Sequence, residues 1–281
     1  MQLLELIDTH CHIHDSAMSE KFGDKDPNLM IKEALSEGVS TFICVGTDLS
    51  SSQQAVDFSD AHPGCYASLA LHPHEAEDES VEGLEAQMRQ LESLLQKQSK
   101  SIVAIGECGL DFYYHDSLET QEKQEWLLKK HLDLATKYAL PVIFHIRDPK
   151  VGEIGKLGRA FERFFAIIDD YQGIKGVIHS FSAGQLELEG ALSRGFLIGL
   201  NGIMTFTKQT DQLEAANMVP LEKLVLETDA PFLTPAPFRG KMCEPKYVCV
   251  TATFLSELRG ESLEELAQVT TSNAKKLFNL I

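Results

Sequence analysis

Eight short apolar runs, separated by stretches long enough for helices, constrain this chain more than any other feature. They are 3–8 (LLELID), 41–46 (TFICVG), 65–71 (CYASLAL), 102–107 (IVAIGE), 141–145 (PVIFH), 175–179 (KGVIH), 196–200 (FLIGL) and 223–228 (KLVLET). Most are nearly continuous in hydrophobicity, the pattern of parallel strands covered on both faces. Between them, Leu84, Met88, Leu91 and Leu95 form one helical stripe, and Leu127, His131, Leu134 and Tyr138 another. Asp26-Pro27 reads as a helix start, and Ser262 with Glu265 as a capping box. Eight strand–helix units in 281 residues fit one α/β domain spanning 1–281, a (β/α)8 TIM barrel. An open doubly wound sheet is the alternative.

The unusual polar residues fall at the ends of these runs. His10 and His12 follow LLELID, Glu107 ends IVAIGE, His145 ends PVIFH, His179 ends GVIH and Asp229 follows LVLET. His10 and His12, two apart on an extended chain, point to one face. The gaps of 38 residues from Glu107 to His145 and 34 from His145 to His179 each match one strand–helix unit. The donors therefore come from strands 1, 4, 5, 6 and 8. In an open sheet those strands would span about 19 Å, at ~4.8 Å per strand, whereas metal–ligand bonds are only ~2.0–2.2 Å long. A closed barrel lets them meet at its C-terminal mouth. Four imidazoles and two carboxylates exceed the needs of one tetrahedral ion, so two divalent cations are expected, with Glu107 offering one oxygen to each. His and carboxylate donors suit Zn, Mn or Fe, and Mg favours more oxygen. The implied chemistry is hydrolysis.

Composition narrows the substrate. The net charge of −17 excludes a basic coat for duplex nucleic acid and favours local capture of a strand end. The six cysteines lie far apart without a CxxC pair, as in a reduced compartment, and Cys11 and Cys108 read as core residues facing away from the site. No run approaches the ~18 apolar residues of a membrane span. A soluble, cytoplasmic protein without membrane contact or an obligate protein partner is expected.

The stretches IDTHCH (7–12), IGECGLDFYY (105–114), FHIRD (144–148), IHSFSAG (178–184) and LETDAPFLTP (226–235) resemble the motif set of the TatD family of metal-dependent deoxyribonucleases, among the amidohydrolase-like barrels. ALHPH (70–74), PFRGK (237–241) and TTSNAKKLF (270–278) extend the similarity along nearly the whole chain. The resemblance implies that His10, His12, Glu107 and Asp229 hold one metal and Glu107, His145 and His179 the other, with Asp229 and Glu107 catalytic and Asp229 taking the proton of the attacking water. Two departures stand out: His14 is inserted before Asp15, and Cys243 stands where an asparagine is common.

Further residues are expected around the metals. Arg147 shares parity with His145 and suits a bidentate phosphate contact, and His72, Arg239 and Lys241 are further candidate substrate contacts. Glu227 and Asp111 are candidates to orient the ligands. Tyr113, Tyr114 and Phe181 read as packing residues that could alternatively stack on bases. The expected activity is a deoxyribonuclease acting on single-stranded DNA ends, 3′-5′ exonucleolytic by resemblance. The alternatives are an amide or ester hydrolase such as an aminoacyl-tRNA deacylase, disfavoured because Glu107 stands where many of those enzymes carry a carboxylated lysine, and a non-catalytic metal-bound scaffold.

Overall fold

All eight expected runs are strands in the computed structural model, which describes residues 4–23, 25–97, 99–150 and 156–280. They are β1 Leu6–Cys11, β2 Val39–Val45, β3 Cys65–Leu69, β4 Ile102–Asp111, β5 Val142–Arg147, β6 Gly176–Ile178, β7 Leu197–Leu200 and β8 Leu224–Leu226. Leu3, in the first expected run, lies outside the described residues. Every neighbouring pair is parallel, and spatial order follows chain order from β1 to β8. That order excludes the doubly wound sheet, whose order reverses at a switch point.

The seam between β8 and β1 is the thinnest join. One parallel bridge, Cys11 to Ala230, closes it. Asp229 N donates to His10 O at 2.8 Å and His12 N to Ala230 O at 2.7 Å. The buried Asp8 carboxylate accepts from Thr228 N (2.9 Å) and Thr228 Oγ1 (2.6 Å), so β1 and the end of β8 are tied just where the two histidines emerge.

Two hydrophobic cores result. The larger fills the space between strands and helices and holds Cys11, Cys44 and Cys108, as expected for small apolar residues. The smaller lies in the barrel lumen, where Ile7, Ile43, Ile143, Val177 and Val225 meet Ala274 and Phe278 of the helix Leu263–Phe278. The helix Val81–Gln96 buries the expected leucine–methionine stripe. Asp26 caps Asn28 N with Pro27 in the first turn, and Ser262 accepts from Glu265 N. Among the described residues no helix is long and apolar enough to cross a membrane.

Strand ends differ from the sequence reading in three places. β1 runs to Cys11, so His10 lies inside the strand. β4 continues to Asp111, so Glu107 sits mid-strand, where the pairing with β5 slips between Ile105 and Cys108. β8 stops at Leu226, so Asp229 stands three residues beyond it. Burial explains each shift: the polar residues at these points are enclosed, and hydrophobicity alone does not mark where hydrogen bonding ends.

Candidate metal centre

Glu107 lies at the centre of the six residues singled out above. Its Oε2 is 3.3 Å from His10 Nε2, while its Oε1 is 2.6 Å from His145 Nδ1 and 3.0 Å from His179 Nε2. Asp229 Oδ1 completes the first side, 3.7 Å from His10 Nε2 and 3.4 Å from His12 Nε2. The two ring nitrogens of His10 and His12 approach to 3.3 Å, and the His10 and His179 rings stack at 3.8 Å. The carboxylate of Glu107 thus turns one oxygen toward His10 and the other toward His145 and His179.

Each of three rings has a polar group on its outer side. His12 Nδ1 meets the Val45 carbonyl at 2.8 Å, His145 Nε2 meets Asp111 Oδ2 at 3.1 Å, and His179 Nδ1 lies 3.2 Å from Glu227 Oε1. The Val45 carbonyl and the Asp111 carboxylate accept, so the outer nitrogens of His12 and His145 carry protons. The inner nitrogens face carboxylate oxygens or one another, an arrangement that a proton or a metal ion between them would stabilise. His10 and His179 each leave a buried Nδ1 with no hydrogen-bond partner among the described residues.

Proton affinities agree. Burial alone would raise the pKa of Glu107, but the surrounding His179, His10 and His72 outweigh it and hold the carboxyl well below its usual range. Burial works against a charge on His145, yet hydrogen bonds to Asp111 and Glu107 lift its pKa to about 9. These shifts favour positive charge in the pocket, and a metal would compete with such a proton.

His72 behaves differently. Its Nε2 is 3.6 Å from Glu107 Oε1, which brings it into ligand range with Glu107 and His145. However, its Nδ1 accepts from His74 N at 3.1 Å, so Nε2 carries the proton and donates. Burial lowers its pKa to about 4, keeping it a neutral donor.

The helix Leu118–Tyr138 braces the loop that bears His72. Buried Gln124 accepts from Asp111 N at 2.9 Å and donates to Pro73 O at 3.2 Å, and His131 accepts from Leu71 N at 3.0 Å. Asn201 Nδ2 lies 3.3 Å from Glu227 Oε1 and 2.9 Å from Ser180 Oγ, which fixes the carboxylate behind His179. Sequence reading missed Gln124 and Asn201. Asp8 was missed as well, although its parity with His10 and His12 in IDTHCH was a readable signal.

A profile described as TatD related DNase matches residues 7–279. The chain belongs to this family. Within it the chain is 35% identical over 264 residues to the 3′-5′ ssDNA/RNA exonuclease TatD of Erwinia tasmaniensis, covering 91% of this chain and 95% of the relative. It is 31% identical over 277 residues to the uncharacterized metal-dependent hydrolase YabD of Bacillus subtilis, covering 98% and 99%. The crystal structure of the TatD homologue YjjV from Escherichia coli superposes with a TM-score of 0.84 at 29% identity, covering 98% of each chain. Family membership makes this chain a metal-dependent hydrolase of the TatD type.

In this TatD-family barrel the mouth opens into a cavity of about 520 Å³, whose wall includes His72, Glu107, His145, Arg147, His179 and Asp229. Arg239 and Lys241 do not line it. Arg239 donates to Thr234 O at 2.8 Å and stacks on Phe206 at 3.8 Å, and Lys241 lies over Phe238 at 5.6 Å, so nearby aromatic rings hold both cations. Phe181 is buried packing, as expected. His14 sits in a buried turn with no hydrogen-bond partner among the described residues, and burial lowers its pKa to about 3. Cys243 is buried, its N–H donating to Pro231 O at 3.0 Å.

Proposed function

We propose that this chain hydrolyses phosphodiester bonds at single-stranded DNA or RNA ends, 3′ to 5′, with two divalent cations held on either side of Glu107. The observation that carries this reading is the division of the Glu107 oxygens, one toward His10 and the other toward His145 and His179. His10, His12, Asp229 and one Glu107 oxygen would hold one ion, and His145, His179 and the other oxygen the second. Bound there, the cations would supply Lewis-acid stabilisation of charge developing on a phosphoryl group and ease the ionisation of water.

The remaining steps fall to side chains. Asp229 Oδ1 faces the cavity with 15% of the side chain exposed and accepts the proton of the attacking water. His72 Nε2–H, a neutral donor beside Glu107, hydrogen-bonds a phosphate oxygen of the substrate. Arg147, at the end of β5, neutralises a further phosphate. With a net charge of −17 and so few cations at the mouth, the protein grips a strand locally, which favours ends over long duplex.

A substrate panel tests the reading. The metal-loaded full chain should shorten a 5′-labelled single strand progressively and leave closed circular duplex intact. Faster nicking of the circle, or turnover confined to small esters and amides, would contradict it.

A further inference from the structure

The wall of the mouth beyond His145 carries two aromatic rings, Tyr113 and Tyr114, that the hydrolytic chemistry does not use. After β4 the chain turns through Tyr113 and Tyr114, and Asp111 Oδ1 accepts both their amides, at 3.0 and 3.1 Å. The other oxygen of Asp111 holds His145 Nε2 and His74 Nε2. One buried carboxylate therefore sets the tyrosine turn and a candidate metal ligand in fixed relation. Tyr114 is 59% exposed, the most exposed large aromatic among the described residues, and it borders the same cavity as Glu107. Arg147 lies over both rings, its Cζ 4.0 Å from the Tyr113 centroid and 4.8 Å from that of Tyr114. Among the described residues no carboxylate pairs with Arg147.

An exposed ring beside a guanidinium matches the two faces of a nucleotide, one aromatic and one anionic. We infer that Tyr113, Tyr114 and Arg147 form a nucleotide subsite in which Tyr114 stacks on the unpaired base next to the scissile bond and Arg147 holds that nucleotide's phosphate. The inference rests on the proposed action on nucleic-acid ends. It adds a reason for strand selectivity: a stacked, paired base has no free face to offer. It also makes the site indifferent to base identity, because every base has a π-face.

Binding tests the subsite separately from turnover. Fluorescence anisotropy of the metal-loaded full chain is measured with a labelled oligonucleotide carrying phosphorothioate links at its 3′ end, and with the same strand made abasic at its last two nucleotides. Tyr114→Ala should weaken binding of the intact strand by about 5- to 100-fold, the scale of one base–aromatic stack. Tyr114→Phe, which keeps the ring, should recover most of that loss, and parent and Tyr114→Ala should bind the abasic strand alike. An unchanged affinity for the intact strand overturns the subsite, and so does an equal loss on the abasic strand, which would mark Tyr114 as structural. If the parent binds the strand in a Tyr114-dependent way but cleaves no nucleic acid, the subsite stands and the proposed reaction falls.

Discussion

Ile143 and His145, Val177 and His179, and Val225 and Glu227 are pairs two residues apart on β5, β6 and β8 or their continuations, so they project into the lumen at successive levels. The lower member of each pair is aliphatic and packs against Phe278 and its neighbours. The upper member is a histidine or a carboxylate that meets another polar side chain. The lower level needs only apolar volume and shape, and any hydrophobic group of the right size satisfies it. The upper level needs a partner for every polar atom, because an unpaired buried group costs about 1–3 kcal/mol. The barrel therefore carries a stabilising half and a reactive half within one lumen, and mutations should separate them.

The largest separation is expected at Glu107. Glu107→Gln keeps the shape but removes the charge shared by both imidazole groups, and kcat/KM should fall by at least ~10²–10³-fold, the scale of losing one electrostatic stabiliser at a reaction centre. Its circular dichroism should match the parent's. Ile143→Ala, one level below His145, should do the reverse. Urea denaturation should show a loss of about 2–5 kcal/mol, with kcat/KM per folded molecule within twofold of the parent. Activity lost from a fully folded Ile143→Ala protein would erase the distinction between the levels.

Smaller effects sharpen the same comparison. Glu227→Gln leaves His179 in place but weakens the acceptor behind it, so calorimetric titration should show metal affinity reduced about 10–100-fold. His131 supplies a pH test from the structural side. It is buried with its pKa lowered to about 4, burial outweighing the hydrogen bond to Leu127 O. The unfolded chain takes up that proton near pH 6.5 and the folded chain does not, so stability is fully present above that pH and falls on acidification. Between pH 7 and 5.5 His131 should account for about 1 kcal/mol of lost stability. His131→Gln should flatten that part of the urea-midpoint profile, and an unchanged profile would remove His131 from the bracing role.

The lower level was legible in sequence because continuous aliphatic runs are a local signal, and so were His10, His12, Glu107, His145, His179 and Asp229, which interrupt those runs at fixed parity. What sets their tautomers was less visible. Asp111 and Glu227 share strand parity with the ligands and could be named in advance. Gln124 comes from a helix and the acceptor for His12 is the backbone of Val45, and neither leaves a pattern near the residue it serves. Arg239 and Lys241 read as phosphate contacts from their place in a loop beside a motif, and no sequence pattern marks the rings of Phe206 and Phe238 that lie against them. His72 looked like a substrate contact, and only the His74 amide at its Nδ1 shows that it reaches the site as a donor.

Metal stoichiometry tests the centre most directly. Equilibrium dialysis of the full chain against Mn, Zn or Mg, read by elemental analysis, should give two divalent ions per chain, and Glu107→Gln should lose at least one of them. Uptake of no divalent ion by the parent, or two ions retained by Glu107→Gln with undiminished affinity, would contradict a centre built around Glu107.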